Sequence, residues 1–261
     1  MVADVGGTNT RLALFDEERD AFQALAEFRN ADHHSLEHVI DHWLDTLGGE
    51  RPSRACIAAA APPSGDRVSM VNIGWSFSCR ELAARFGLRE FAWLNDFQAN
   101  AHALPHLGGD DLQTVHQAAG VAHSALATVG PGTGLGGATL HWVDGIPIAG
   151  DSEPGHAGLS PGSDLELEIF KLLLPEYGNI YAELLVSGAG LARLYQAVAR
   201  INGLEPAALE PAQVSSRALQ GDDALCVTAL QTFCALLGSV CGDFVLSNGA
   251  YGGLYIAGGI V

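Results

Sequence analysis

The residues "ADVGGTNTRLALF" (3–15) set an acid and a glycine pair between two apolar runs, so the chain turns back on itself almost at once. Paired glycines let a backbone turn sharply, and they let a ligand approach the amides without an intervening side chain. A bare hairpin turn explains the same residues, and this stretch alone does not separate the two. The chain then starts again. "SALATVGPGTGLGGATLHWVDGIPIAG" (124–150) reads as apolar strand, glycine turn, strand, tight turn and strand. "VGGTNTRLAL" and "VGPGTGLGGATL" look like two versions of one hairpin, one supplied by each half of the chain. "GTGLGG" (132–137) also matches the dinucleotide fingerprint, but that fingerprint requires a following helix, and "ATLHWV" reads as a strand. An NAD-dependent dehydrogenase is therefore only a remote alternative.

Between the hairpins, strand and helix signals alternate. "FQALAEF" (22–28) offers a third strand. A helix follows from Ser35, with Leu36, Val39, Ile40, Trp43, Leu44 and Leu47 at helical spacing and Gly48 at its end. "ACIAAAAP" (55–62) reads as a short apolar strand, and a turn with Pro63, Ser64 and Gly65 leads to "RVSMVN". Ser78 and Glu81 form a capping-box pattern for a helix closed by Gly87. "REFAWLND" (89–96) reads as a strand with Asn95 and Asp96 at its exit. Later elements are mostly helical: 164–174 behind Ser163 and Glu166, 188–201 behind Ser187, and a long helix from near Asp222. "GGLYIAGGIV" supplies a final strand.

Composition narrows the function classes. A chain of 261 residues with 48% apolar content builds one large or two modest cores. A formal charge of −17 argues against sequence-independent binding to nucleic acid or anionic membrane. An acidic protein that handles a nucleotide must meet the phosphates with backbone amides or a metal ion. The five cysteines form no C-x-x-C pair and read as small hydrophobes in a reducing cytoplasm. Charges and glycines within the first eleven residues do not suit a signal peptide. Residues 224–242 lack any charge, yet acidic flanks and interspersed Thr, Gln and Ser favour a core helix over a membrane span.

"DVGGTNTRLAL", "LNDFQANAHALP", "GPGTGLGGATL", "EPGHAGLSP", "AELLVSGAGLARLY" and "GGLYIAGGIV" occur in that order across nearly the whole chain. Together they resemble the bacterial glucokinases of the actin-like ATPase superfamily. The resemblance implies an α/β, two-domain actin-like (ribonuclease H-like) fold with a cleft between domains, a smaller one over 1–106 and a larger one over 107–261. A hinge is expected near Asp96 to Pro105. The implied activity is phosphorylation of glucose at its 6-hydroxyl with ATP and Mg²⁺. The implied nucleotide residues are Asp4, Gly6, Gly7, Thr8 and Asn9 in the first phosphate motif, Gly132, Thr133 and Gly134 in the second, and Gly258 and Gly259 in the adenosine motif. Asp4 would lie near the magnesium ion, and both turns would face one cleft.

By the same resemblance Asp96 is the general base, and Asn95, Glu153, His156 and Glu183 bind the sugar. Vicinal hydroxyls need bidentate acceptors and donors, which carboxylates and an imidazole provide. Read without the resemblance, Asn95 and Asp96 are an ordinary helix cap. His34, His38 and His42 recur at helical spacing but share a face with Glu37, Asp41 and Asp45, which reads as a solvated face. "GHAGLSPGSDLELEIF" lacks the cysteines of the zinc motif in the related repressor–kinase–open-reading-frame sugar kinases, so no structural metal is expected. The expected partner is glucose or a related hexose, without nucleic acid or membrane, and the expected assembly is a homodimer. Kinases of another hexose and a non-catalytic sugar-binding regulator of the same fold remain as alternatives. Family chains usually run past "AGGIV", so a chain ending at Val261 is expected to hold nucleotide less tightly than a longer one.

Overall fold

The computed structural model describes residues 1–49, 51–61, 65–70 and 73–261. Of the expected elements, Pro62 of "ACIAAAAP", Pro63 and Ser64 of the turn, and Val71 and Asn72 of "RVSMVN" lie outside the described residues. The chain divides into two compact units, Met1–Ala99 and Asn100–Val261.

In the first unit, β1 (Val2–Val5), β2 (Asn9–Asp16) and β3 (Ala21–Arg29) form an antiparallel meander. After α1 (Leu36–Thr46), the chain enters β4 (Arg54–Ala59), a small hairpin of β5 (Arg67–Ser69) and β6 (Ser76–Ser78), then α2 (Cys79–Phe86), β7 (Glu90–Asn95) and α3 (Asp96–Ala103). The sheet order is β3-β2-β1-β4-β7, with β1, β4 and β7 parallel. The division between units falls inside α3, upstream of the boundary expected after residue 106.

Strand β4 shows why these residues pair. Ala55, Ile57 and Ala59 alternate into the core, where α1 sets Leu36, Val39, Ile40, Trp43 and Leu44 against the sheet. Ser35 starts α1 as expected, its hydroxyl accepting from the His38 amide at 3.3 Å. Ser78 accepts from the Glu81 amide at 3.1 Å. Asp66 adds to this helix start, accepting from Ser78 Oγ at 2.6 Å and from the Arg80 amide at 3.0 Å.

Strand β3 carries a bulge. Its register against β2 shifts between Leu12 and Leu14, and Ala24 adopts φ 51°. The fully buried Trp43 donates from Nε1 to the Ala24 carbonyl at 2.9 Å, giving the displaced backbone a partner. Trp43→Phe keeps most of the apolar volume but removes the indole donor to that carbonyl. Because Ala24 is exposed and water can reach that carbonyl, the change should destabilise the chain by about 0.5–1.5 kcal/mol, read as a lower urea midpoint at unchanged slope.

The second unit repeats the plan. β8 (Leu126–Pro131), β9 (Leu135–Val143) and β10 (Ile146–Ser152) form a meander. After α4 (Asp164–Tyr177), α5 (Ala182–Leu185), α6 (Gly188–Ile201), α7 (Pro211–Gln220) and α8 (Ala224–Asn248), β11 (Gly253–Ile256) returns parallel to β8. The order β10-β9-β8-β11 mirrors β3-β2-β1-β4. Asp144 and Gly145, at φ 51° and 79°, make the tight turn in the left-handed region. A strand, not a helix, follows "GTGLGG", which removes the dinucleotide reading.

Two helices depart from expectation. α4 runs through Pro175 to Tyr177 rather than stopping at 174. The proline removes one amide, and Gly178, at φ 70°, closes the helix on the Leu174 carbonyl. α7 was not expected, although Glu210, Pro211 and Gly221 are ordinary start and stop residues. The charge-free segment lies in α8, which is long and apolar enough to cross a membrane. It packs Phe233, Leu236, Leu237, Val240 and Phe244 into the core and lies against α6 and α7.

Candidate active site

In the first unit, the parallel strands β1, β4 and β7 end at one edge of the sheet. That edge carries the Gly6–Asn9 turn, Ala61, Asn95 and Asp96. Gly6 donates to the Asn9 carbonyl at 3.0 Å to close the turn. The sharp-turn argument for the glycine pair fails here, because neither Gly6 nor Gly7 adopts a positive φ. Space is the reason at Gly6, where a Cβ would stand 3.2 Å from the Asn9 carbonyl.

Asp4 faces Arg11 across the β1–β2 ladder, with Arg11 Nη1 3.5 Å from its carboxylate. Arg11 Nε also donates to Glu27 at 2.8 Å, and Asn9 Nδ2 donates to the same carboxylate at 2.8 Å. The Asp4 side chain keeps 54% of its surface exposed, so it remains open to a ligand. Burial of its inner part raises its proton affinity, and Arg11 opposes that rise.

Asp96 is half-buried at the exit of β7. Burial pushes its carboxyl up, the Phe97 amide lowers it, and the negative charge of Asp4 raises it further. The cap expected of this pair is present and doubly provided. The Phe97 amide lies 2.9 Å from Asn95 Oδ1 and 3.0 Å from Asp96 Oδ1. Asn95 Nδ2 also donates to the Ala61 carbonyl at 3.2 Å, tying β7 to the end of β4. Since Asn95 serves the helix start, capping alone does not require an acid at 96.

In the second unit, the Gly132–Gly134 turn links β8 to β9. Gly132 donates to the Gly134 carbonyl at 2.8 Å, and Gly188, the first residue of α6, donates to the Gly132 carbonyl at 2.9 Å. Thr133 is exposed at the tip. Glu183 on α5 accepts from the Leu135 amide at 2.9 Å. A Cβ on Gly134 would come 2.5 Å from Glu183 Oε2, and one on Gly155 would come 3.3 Å from the same oxygen. The Glu153–His156 turn therefore packs on Glu183, which in turn holds the glycine loop. His156 stands edge-on to Tyr181, ring centres 6.3 Å apart. Gly258, at φ 109°, brings the Gly258–Gly259 segment beside Pro131, and a Cβ there would lie 2.5 Å from the Pro131 carbonyl.

Each unit thus gathers its own share of the expected residues. Asp4, Gly6, Gly7, Thr8, Asn9, Asn95 and Asp96 lie in the first. Gly132, Thr133, Gly134, Glu153, His156, Glu183, Gly258 and Gly259 lie in the second. Sequence reading passed over Arg11, Asn30 and Gly188, since alternation marks Arg11 only as outward-facing and nothing local marks Asn30.

The expected solvated histidine face is present, with His34 and His42 exposed and His38 partly buried, and its rings also contact one another. His34 stacks on His38 at 4.2 Å, and His33 lies 5.0 Å from His38 and 5.6 Å from His42 between ring centres. Phe28 packs against His33 and His42. The Nδ1 atoms of His33 and His38 are buried without a hydrogen-bond partner. Among the described residues no three His, Cys, Asp or Glu side chains form a metal-ligand group. Burial pushes the His33 value down, as do His38, His42 and His34, while Asp32 opposes them. Arg85 from α2 is held by Asp41 at 2.5 Å.

Because His33 binds its proton less readily folded than unfolded, its contribution to stability is present above the ordinary histidine value of about 6.5 and lost as pH falls below it. The melting temperature should therefore drop between pH 7.5 and pH 5.5, and His33→Gln should reduce that drop. An equal drop in the variant would mean that His33 is not the source of the drop.

A family model described as Glucokinase matches residues 1–261. The glucokinase of Saccharophagus degradans is 39% identical over 270 residues, covering 100% of this chain and 82% of that protein. Among solved structures, a glucokinase from an Antarctic psychrotroph matches with a TM-score of 0.88 at 37% identity, covering 99% of this chain and 82% of that one. A ROK family glucokinase from Streptomyces griseus, solved with glucose and AMPPNP, matches with a TM-score of 0.61 over 99% of this chain and 82% of that one; at 19% identity this is a likeness of fold. The fold is accordingly that of the actin-like sugar kinases.

Proposed function

The chain belongs to the glucokinase family, and from that premise we infer that it transfers a phosphoryl group from ATP to the 6-hydroxyl of glucose. The observation that carries the assignment of chemistry is Asp96, a half-buried carboxylate of raised proton affinity that the helix cap does not require. A sugar hydroxyl is a poor nucleophile at neutral pH and needs a proton acceptor as it attacks. Asp96 takes that proton while the sugar O6 bonds to the γ-phosphorus. The bond from phosphorus to the bridging oxygen breaks, leaving glucose 6-phosphate and ADP. Glu153 and Glu183 accept hydrogen bonds from ring hydroxyls, and His156 and Asn95 donate or accept beside them.

The residues suit a triphosphate met by backbone. With 13 Lys and Arg against 30 Asp and Glu, the chain offers few basic side chains. A Cβ at Gly134 or Gly258 would press on Glu183 or on the Pro131 carbonyl, so glycine there keeps the backbone packed closely. Amides of the Gly6–Asn9 and Gly132–Gly134 turns other than those of Gly6 and Gly132, which already donate within their own turns, serve phosphate oxygens. Asp4, whose side chain keeps 54% of its surface exposed, suits a magnesium ion bound by one or two carboxylates together with substrate phosphates, an ion that would displace the 3.5 Å contact of Arg11. Bound Mg²⁺ supplies neutralisation of phosphate charge. ATP as donor and five free cysteines support a cytoplasmic location.

A coupled assay of the full chain over glucose, mannose, fructose and an amino sugar, each with ATP, ADP or polyphosphate, tests this reading. Glucose with ATP should give the highest kcat/KM. Faster turnover of another hexose would reassign the substrate. Glucose binding without turnover on any donor would make the protein a sugar-binding regulator. Sedimentation of the same sample tests the homodimer.

A further inference from the structure

We propose that Asn30 is a positioning residue that aims the amides of the first glycine turn. It sits in the 3₁₀ turn Asn30–Asp32, directly after β3, and is 5% exposed. Three hydrogen bonds converge on it. Its backbone amide donates to the Thr8 carbonyl at 2.8 Å, and its side-chain Nδ2 donates to the Gly6 carbonyl at 2.8 Å. Its Oδ1 accepts from Thr10 Oγ1 at 2.8 Å, and Thr10 is fully buried. The amide group is thereby fixed in one orientation, nitrogen toward the turn and oxygen toward β2.

The consequence follows from peptide geometry. No peptide bond in the described chain is cis, so each carbonyl and the amide that follows it point in opposite directions. Pinning the Gly6 carbonyl on Asn30 turns the Gly7 amide away from Asn30. Pinning the Thr8 carbonyl does the same for the Asn9 amide. One side chain and one backbone amide thus orient both donors that flank the turn without contacting a ligand themselves. Preorganised donors lose less on binding than donors that must be ordered first.

Asparagine is suited to this place because it donates and accepts on one planar group. Aspartate would still accept from Thr10, but it would set a carboxylate oxygen against the Gly6 carbonyl.

The proposal rests on reading Gly6–Asn9 as a nucleotide phosphate site, and the test separates the two. Binding of AMPPNP with Mg²⁺ and of glucose is measured by calorimetry on the full chain, for wild type, Asn30→Ala, Asn30→Asp and Gly7→Val. Asn30→Ala should weaken AMPPNP about 3- to 10-fold, and Asn30→Asp at least as much. Glucose affinity should be unchanged in both, and the KM for ATP should rise with little change in kcat. A purely structural role would move the melting temperature but not this split between ligands. If Gly7→Val weakens AMPPNP while both Asn30 variants bind normally, the positioning role is wrong. If Gly7→Val also binds normally, the turn is not the phosphate site. Should the Asn30 variants not fold, Thr10→Val removes only the hydroxyl holding Oδ1, and an unchanged AMPPNP affinity in it overturns the proposal.

Discussion

Asp96→Asn is expected to lower turnover by about 10²–10⁴-fold while glucose still binds, because the amide keeps the shape of the carboxylate but cannot take a proton. The fold should tolerate the change. Asn95 already meets the Phe97 amide at 2.9 Å, and an asparagine oxygen at 96 can share it as the carboxylate does. Stability should even rise at neutral pH. The Asp96 carboxyl is raised by burial and by Asp4, so its contribution to stability is full below the ordinary carboxylate value and lost as pH rises through the folded one. Removing the charge removes that loss. The melting temperature of Asp96→Asn should therefore exceed that of wild type at pH 7.5, and the gap should close near pH 4. The same raised affinity sets the acid limb of kcat/KM above the range of an ordinary aspartate. Unchanged turnover in Asp96→Asn would return the residue to helix capping.

The second large effect is expected at Gly134. A Cβ there would stand 2.5 Å from Glu183 Oε2, the far end of a side chain that can swing aside. Gly134→Ala should displace Glu183 from the Leu135 amide without unfolding the chain. Loss of a charge-assisted hydrogen bond and of its placed carboxylate costs about 1.5–3 kcal/mol, or roughly 10- to 150-fold in glucose affinity. Glu183→Gln should cost less, since the amide oxygen still accepts from Leu135. Calorimetry with glucose, alongside melting temperatures, distinguishes the cases. Normal glucose binding in Gly134→Ala would mean that Glu183 does not serve the sugar, whereas a large fall in melting temperature would assign the glycine to packing.

What the sequence determined by itself is the local grammar. Apolar runs broken by glycine turns made β1–β3 and β8–β10 legible, and serines before apolar runs marked the starts of α1, α4 and α6. Asn95 and Asp96 were visible because they interrupt an apolar strand at its end. The start and stop signals of α7, Pro211 and Gly221, are also present in the sequence.

Tertiary structure alone decided the rest, because those contacts join residues far apart in the chain. Glu183 reaches the Leu135 amide across 48 positions, and Asn30 reaches Gly6 across 24. Neither partner announces the other, since each bond depends on sheet register and on where a helix packs. The histidines show the same limit. Their spacing along α1 marked an exposed stripe, and His34 and His42 do meet water, but the contacts of Phe28 on β3 and of His33 after it with that stripe came only from the fold. A helical period states which residues share a face, and only the neighbouring element decides whether that face meets water.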